Sequence, residues 1–251
     1  TCLQRTGNGL ESTKNIIDTV DYPMLRQLEE LPLVEYAPAP WHLVGEGYIV
    51  ALWLPDDFLT RHCFLPPELR PSRRGRIAYL MFVDYLASPV GPYHELLFIP
   101  GSVDFSGERR LTISRIFVSS WESVVNGRTN WGIPKERCDF AVRYGADGID
   151  RVELTLDGRP IVELTLQARG FNLPLNAGLL PRGLRTLGQS LEGRQYFYAP
   201  SARGHVRPAR LLAARVDGGQ FPDFTRGRVL AALRVSDFNM TFPLARMGAR
   251  S

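Results

Sequence analysis

Two short segments that both contain the sequence V-E-L-T-L flank the dipeptide Asp157-Gly158. In each segment apolar and polar residues alternate, which predicts a strand with one apolar and one polar face. An Asp-Gly pair between two such segments favours a two-residue turn, because both central residues of that turn need positive φ angles. Residues 151–156 and 160–168 are therefore predicted to form an antiparallel hairpin, and this hairpin constrains the fold toward an antiparallel sheet.

Strand signals extend over most of the remaining chain. Further strands are predicted at residues 47–54, 76–87, 93–99, 110–118, 138–144, 210–216 and 228–242. Short helices are predicted at residues 24–31 and 56–64, and a third begins at a capping box of Ser119 with Glu122 and ends at Gly127. Many short strands and few helices indicate an α+β, mainly antiparallel β fold in which the sheet closes or curls into a barrel.

A proline-rich stretch separates the N-terminal residues from this β-rich part. The sequence Ala37-Pro38-Ala39-Pro40 interrupts regular structure, because a residue that precedes proline is driven to an extended conformation. We therefore divide the chain into an N-terminal arm, residues 1–40, and a β-barrel domain, residues 41–251. The arm carries leucines at helical spacing, and we expect it to lie over a neighbouring subunit.

Composition excludes several classes of protein. The chain has 251 residues, a formal charge of +4 and no run of 18 apolar residues, so no helix is predicted to span a membrane. Its arginines are scattered and residues 70–76, the densest cluster, are interpreted as a solvated loop, so nucleic acid is not an expected partner. The three cysteines and four histidines show no metal-ligand spacing. Sparse cysteines also indicate a cytoplasmic protein rather than a secreted disulfide scaffold.

Lysine is rare in this chain. Of the 30 basic residues only Lys14 and Lys135 are lysines, and Lys135 follows the apolar segment Trp131-Gly132-Ile133-Pro134. Arginine stays protonated, whereas a desolvated lysine can lose its proton and attack a carbonyl group to form a Schiff base. The alternative is a lysine on an exposed turn that pairs with Glu136 or Asp139.

Two segments carry a resemblance to a known family. Residues 127–135 read G-R-T-N-W-G-I-P-K, which resembles the G-R-E-x-x-G-x-P-K segment of the acetoacetate decarboxylase family, with Thr129 in place of its Glu. Residues 91–95 read G-P-Y-H-E and resemble the family's Y-x-E segment. The order of strands, short helix and motifs also agrees, and the resemblance covers about residues 41–246.

This resemblance implies a cone-shaped antiparallel β barrel with a few peripheral helices and an interior pocket. It also implies a Schiff base on Lys135 that needs no metal or organic cofactor, and an assembly into homo-oligomers. Two departures are visible. Glu136 stands where the decarboxylases carry a second lysine, and on a strand it should point away from Lys135. Glu46-Gly47-Tyr48 stands where the family has Arg-Glu-Tyr, so the arginine that meets the substrate carboxylate is missing there.

The resemblance assigns roles to further residues. Glu95 is expected to be the general acid or base in the pocket, although a surface acid after the Gly91-Pro92 turn is the alternative. Tyr93 and Trp131 are expected to contact substrate or to serve as core aromatics. Arg128 is a candidate substrate contact or a loop support that pairs with a carboxylate. Asp84 is the acid nearest to the family's second pocket glutamate, or a surface acid in a salt bridge.

The expected function is that of a lyase. Through an imine on Lys135 it would act on a keto acid, with decarboxylation of a β-keto acid as the first candidate. An aldolase or dehydratase reaction through the same imine is the alternative within that chemistry, and a larger, more hydrophobic substrate than acetoacetate is favoured. A barrel that binds a small molecule without turnover is the alternative from another class.

Overall fold

The protein is described by a computed structural model over residues 31–248. The helix predicted at residues 24–31 lies almost wholly outside this range. The strands are β1 Trp41–Trp53, β2 Ile77–Ala87, β3 Tyr93–Ile99, β4 Ser102–Phe105, β5 Glu108–Leu111, β6 Arg115–Val118, β7 Lys135–Arg137, β8 Asp139–Arg143, β9 Ile149–Leu156, β10 Arg159–Ala168, β11 Leu173–Asn176, β12 Leu187–Leu191, β13 Arg194–Tyr198, β14 Ser201–Val216, β15 Arg228–Phe242 and β16 Arg246–Met247. The α-helices are α1 Asp56–Arg61, α2 Trp121–Trp131 and α3 Arg182–Arg185. Within residues 31–248 no helix is long and apolar enough to cross a membrane.

One large sheet dominates the structure. Its strand order is β7-β6-β3-β2-β1-β15-β14-β10-β9-β8, with β11 attached to β14, and all pairs are antiparallel except β6 with β7. The two end strands β7 and β8 are consecutive in the chain and only Cys138 separates them, so the sheet must curl until its ends approach each other. This nearly closed antiparallel barrel confirms the predicted fold class. A smaller sheet has the order β16-β13-β12-β5-β4.

The large sheet is apolar on both faces. Along β2, Ala78, Leu80 and Phe82 belong to a core cluster that also contains Val152 and Leu154 of β9, which is distant from β2 in strand order. That cluster therefore lies inside the curl of the sheet. The alternate residues of β2, from Tyr79 to Tyr85, belong to a second cluster on the opposite face, which α2 and the smaller sheet cover. The second face carries the candidate site.

The hairpin predicted around Asp157-Gly158 is confirmed. Strands β9 and β10 pair with Leu156 opposite Arg159, which leaves a two-residue turn. The φ angles of Asp157 and Gly158 are 49° and 74°, so both turn residues adopt the left-handed conformation that this turn requires. The strands predicted at 93–99 and 228–242 also match β3 and β15.

The strand predicted at residues 110–118 is wrong, because the chain changes sheets inside it. Leu111 at the end of β5 pairs with β4 and β12 of the smaller sheet, whereas β6 begins at Arg115 and pairs with β3 of the large sheet. Ser114, between the two, donates its backbone N–H to Phe98 O. Strands β12 and β13 of the smaller sheet were not predicted from the sequence.

The predicted boundaries of α2 are wrong at both ends. The N-cap is Ser120, whose side chain accepts a hydrogen bond from Ser123 N, while Ser119 Oγ accepts from His94 N of β3. The helix continues through Gly127 to Trp131 and ends at Gly132, which has a φ of 60°.

The interpretation of residues 70–76 as a solvated loop is also wrong for Arg73, whose side chain is buried and bonded to Asp56.

Candidate active site

Lys135 lies on β7 at the end of the large sheet. Strand β7 runs parallel to β6, and its side of the sheet is covered by α2. The Lys135 residue is only 3% exposed. Its Nζ lies 2.8 Å from Glu95 Oε2 and donates to Ser123 Oγ at 2.9 Å. The amine is therefore held between a carboxylate from β3 and a hydroxyl from α2, and the alternative of a lysine on an exposed turn is wrong.

Helix α2 comes unusually close to the aliphatic part of Lys135. A Cβ atom at Gly127 would lie 2.6 Å from Lys135 Cδ and 2.8 Å from Cε, distances that real Cβ atoms do not adopt. Glycine at this helical position thus leaves the space through which the lysine side chain passes to reach Ser123 and Glu95. The neighbouring Arg128 turns the other way, and its Nε donates to Lys135 O at 2.8 Å.

The same face of α2 also binds the N-terminal segment, because Asn126 and Asn130 lie three residues after Ser123 and Gly127. Asn126 Oδ1 accepts from Ala37 N at 2.8 Å, and Asn126 Nδ2 donates to Glu35 O at 3.0 Å. One turn further along, Asn130 Nδ2 donates to Ala37 O at 2.8 Å. Helix α2 is consequently held by residues 35–37 in addition to its contact with the lysine.

Two tyrosines complete the surroundings of the ion pair. Tyr85 Oη donates to Glu95 Oε1 at 3.2 Å, and the ring of Tyr93 lies below the amine with its centroid 5.0 Å from Lys135 Nζ. The two rings are in contact, with centroids 4.6 Å apart, because Tyr85 and Tyr93 face each other across β2 and β3. Glu95 therefore has hydrogen-bond or ionic partners on both carboxylate oxygens.

The electrostatic state of this cluster follows from burial and from the charge pair. Burial lowers the pKa of Lys135, but Glu95 and Tyr93 oppose this effect and the pKa lies above its usual value. Burial raises the pKa of Tyr93 to about 12, and burial together with Glu95 raises the pKa of Tyr85 well above its usual value. At neutral pH Lys135 is therefore an ammonium ion, and the phenols of Tyr85 and Tyr93 are neutral.

The ion pair borders a largely apolar cavity of about 480 Å³. Its lining includes Glu95, Lys135, Tyr93 and Trp131 among the predicted site residues. The other walls are mostly aliphatic and aromatic side chains, with Trp41, Ile49, Tyr79, Met81, Val235 and Phe238 as examples. Such a volume lies within the range of cavities that bind drug-sized organic molecules. Residues 31–248 contain no group of three or more His, Cys, Asp or Glu that could hold a metal ion.

The structure does not bring Asp84 or Arg128 to this cavity, which corrects the expectation that they contact substrate. Asp84 alternates with Tyr85 on β2 and points to the other face, where it pairs with His94 at 3.5 Å and accepts a hydrogen bond from Tyr144. Arg128 supports the backbone of Lys135 instead, so it acts as a loop support, and no ion pair joins it to a carboxylate within residues 31–248. Both residues are occupied by protein partners.

Two residues that replace family motif positions, Glu136 and Glu46, do not line the cavity. Glu136 points to the face opposite Lys135, as predicted, and forms a buried ion pair with Arg115. On β1, Glu46 pairs at 2.7 Å with Arg234, which also pairs at 2.7 Å with Asp150. Arg234 is therefore engaged with two carboxylates and cannot take the place of the missing pocket arginine.

Sequence reasoning missed Ser123, Tyr85 and Arg185, all of which belong to the site or its cavity. Tyr85 could have been found, because a hairpin of β2 and β3 across residues 88–92 places it opposite Tyr93. Ser123 lies four residues before Gly127 and therefore on the same face of α2. The sequence predicts this shared face only if the helix is known to continue beyond Gly127. No sequence signal marks Arg185, which comes from α3 and lines the cavity.

Comparisons with known proteins agree with this architecture. The sequence profile of the family described as Acetoacetate decarboxylase (ADC) matches residues 35–182. Among curated protein sequences none matches this chain.

Several solved structures resemble the fold. The acetoacetate decarboxylase of Legionella pneumophila has 15% identity and a TM-score of 0.64, and the match covers 95% of this chain and 99% of that one. The enduracididine biosynthesis enzyme MppR complexed with pyruvate has 19% identity and a TM-score of 0.59, with coverages of 85% and 92%. An acetoacetate decarboxylase-like enzyme from Sphingomonas wittichii has 14% identity and a TM-score of 0.59, with coverages of 86% and 95%. At these identities the likeness is one of fold.

Proposed function

The chain belongs to the acetoacetate decarboxylase family, and from this premise we propose that it is a lyase that forms a Schiff base between Lys135 and a keto acid. The observation that carries the proposal is the buried ion pair of Lys135 with Glu95, 2.8 Å apart at the wall of an apolar cavity. An amine held beside its own proton acceptor, where an organic molecule can enter, has the parts that imine formation needs.

Imine formation begins with proton transfer from Lys135 Nζ to Glu95. The neutral amine then attacks the carbonyl carbon of the substrate, a C–N bond forms, and the carbonyl π electrons move to oxygen. A proton passes from nitrogen to that oxygen, Glu95 supplies a second proton, and water leaves to give an iminium ion. An apolar substrate that displaces water favours the first step, because desolvation destabilises the separate charges of the ion pair.

Decarboxylation of a β-keto acid then follows from the iminium ion. The bond between the α carbon and the carboxylate breaks, its electron pair forms the enamine double bond, and the iminium π electrons move to nitrogen. Carbon dioxide leaves the cavity, the α carbon takes a proton, and water hydrolyses the imine to release the ketone. Apolar walls assist this step, since a carboxylate loses its negative charge as carbon dioxide forms.

A second candidate is an aldol-type condensation through the same enamine. It is supported by MppR, which has been observed with the condensation product of pyruvate and imidazole 4-carboxaldehyde, at a TM-score of 0.58 to this chain. In that case the enamine carbon attacks an aldehyde instead of taking a proton. The electrophile that reacts with the enamine carbon, a proton or an aldehyde, decides between the two reactions. The roles of Lys135 and Glu95 are the same in both.

The test is reductive trapping of the imine. Wild-type protein is incubated with pyruvate, acetoacetate or acetylacetone, borohydride is added, and the peptides are analysed by mass spectrometry. We expect an added mass on the peptide that contains Lys135. Lys135→Arg is the matched control, because it retains the positive charge beside Glu95 but cannot form the imine. Since Lys14 is the only other lysine, an adduct that persists in Lys135→Arg would refute this site assignment.

The two reactions and the binding alternative are separated by products. Release of carbon dioxide from a β-keto acid that depends on Lys135 supports decarboxylation, whereas consumption of an aromatic aldehyde with pyruvate supports condensation. No adduct with any of these carbonyl compounds at near-neutral pH would instead favour a barrel that binds a small molecule without turnover.

We also propose a cytoplasmic homo-oligomer with residues 1–40 as an extension of the barrel domain, residues 41–251. Cys63 and Cys138 are free thiols, which supports a reducing compartment. Exposed apolar side chains on the strands, such as Trp53, Ile77 and Leu233, support contact with a second copy. Light scattering of the full chain and of a variant that lacks residues 1–36 tests both points. A monomeric full chain would contradict the oligomer, and an unchanged oligomer after deletion would contradict a bridging arm.

A further inference from the structure

We propose that Arg185 binds an anionic group of the substrate on the wall of the cavity, at a point separate from Lys135. The substrate would therefore be a carbonyl compound in which an apolar body joins the reacting carbonyl to a remote carboxylate or similar anion. This inference rests on the proposed imine at Lys135 and specifies the kind of molecule that forms it.

The distribution of charge around the cavity singles out Arg185. Among the lining residues, which all belong to the described part of the chain, only Glu95, Lys135 and Arg185 carry a formal charge. Glu95 and Lys135 neutralise each other at 2.8 Å. The charge of Arg185 has no such partner, since no ion pair joins it to any acidic residue within residues 31–248. The cavity thus carries one net positive charge in apolar surroundings.

The guanidinium group of Arg185 is also held in place. Its Nη1 donates to Ala199 O at 2.8 Å and to Pro200 O at 2.9 Å, and its Nε donates to Leu180 O at 3.4 Å. These carbonyl oxygens fix the plane of the group without cancelling its charge. Nη2 makes no hydrogen bond within the described part of the chain, and it can donate to a ligand. A fixed guanidinium with free donors is a typical recognition group for carboxylates.

The location of Arg185 separates the anion from the carbonyl. Lys135 comes from β7 on the large sheet, whereas Arg185 comes from α3, and the two cations share no hydrogen-bonding or ionic partner. Aromatic and aliphatic side chains make up most of the cavity that Lys135 and Arg185 both line. A short keto acid would use only one of the two sites, whereas a molecule with an aromatic or branched body can contact both.

Two probes of nearly equal size test this arrangement, namely benzylacetone and its para-carboxylate. They share the same methyl ketone and the same apolar body and differ in one anionic group. Binding to full-length protein is measured by calorimetry, and imine formation is measured separately by borohydride trapping on Lys135. One charge-assisted contact is worth about 1.5–3 kcal/mol, so we expect wild-type protein to bind the carboxylate probe about tenfold more tightly or better.

Arg185→Gln is expected to abolish this preference while the affinity for benzylacetone stays unchanged, which shows that the cavity is intact. Arg182→Gln is the matched control, because Arg182 lies in the same helix, is exposed and does not line the cavity; its preference should equal that of wild type. Equal binding of the two probes by wild type, or a preference that survives in Arg185→Gln, would overturn the proposal. A preference that depends on Arg185 without any adduct on Lys135 would uphold the anion site and refute the proposed imine. An adduct on Lys135 without a preference for the carboxylate probe would uphold the proposed imine and refute the anion site.

Discussion

Replacement of Gly127 by alanine tests whether the position of Lys135 depends on the close approach of helix α2. The added methyl group would lie 2.6 Å from Lys135 Cδ and 2.8 Å from Cε, well inside van der Waals contact. The lysine cannot simply swing away, because its Nζ is fixed by Glu95 and Ser123 and its residue is 3% exposed. Either the helix or the lysine must move by roughly 1 Å to restore a normal contact distance.

Two opposing effects set the expected change in stability. Alanine in place of glycine inside a helix is worth about 1 kcal/mol in favour of folding, whereas overpacking of a buried site costs about 1–3 kcal/mol. We therefore expect a net loss of about 0–2 kcal/mol in the free energy of unfolding, which a urea titration can measure. The effect on chemistry should be larger, because a reacting group displaced by about 1 Å can lose about 100-fold in rate.

The assay measures the rate of borohydride trapping with pyruvate alongside the unfolding curve. Gly183→Ala is the matched control, since a Cβ atom at Gly183 meets nothing within 4 Å, and we expect no loss of stability or trapping there. A Gly127→Ala variant that is more stable than wild type and traps the probe at the wild-type rate would refute the reasoning. That result would mean that the lysine stem has space to relax.

Three further predictions concern the surroundings of this helix. Glu95→Gln should shift the pH profile of trapping to lower pH, because the lowering of the Lys135 pKa by burial is then opposed only by Tyr93; an unmoved profile would contradict this. Asn126→Ala should lower the free energy of unfolding, measured by urea titration, by about 1–3 kcal/mol, because two hydrogen bonds to the N-terminal segment are lost; a change below about 0.5 kcal/mol would exclude that role. Arg115→Met should cost about 3–5 kcal/mol in the same titration, because Glu136 keeps a buried charge without this ionic partner; wild-type stability would show the pair to be dispensable.

The fold was largely predictable where local patterns determine the outcome. The Asp157-Gly158 turn and the alternation on either side depend on neighbours in sequence, and the structure confirms them. Residues 110–118 could not be assigned correctly from their own pattern, since the break follows from pairing with two different sheets. The start of α2 was missed by one residue because Ser119 and Ser120 are equivalent caps until β3 engages Ser119.

The candidate site was predictable only in part, for a similar reason. Lys135 and Glu95 follow from a motif and a rare residue type, but their 2.8 Å contact depends on the pairing of β3, β6 and β7. Asp84 was assigned to the wrong face of β2. Both faces of this strand carry apolar residues, so the hydropathy pattern does not indicate which face borders the cavity. Arg185 has no local signature, since its contacts form only after the chain has folded back over the large sheet.

The cavity joins parts of the chain that lie far apart in sequence. Tyr85, Tyr93, Glu95, Ser123 and Lys135 all fall between residues 85 and 135, inside the segment 35–182 that the family profile matches. Arg185 and the wall from β15 lie beyond it. On the proposed function, the reacting pair and the anion contact are thus encoded in separable stretches of the gene, while much of the apolar wall lies in the first of them. Directed evolution confined to codons after 182 would then change the proposed anion contact at Arg185 while Lys135 and Glu95 stay as they are.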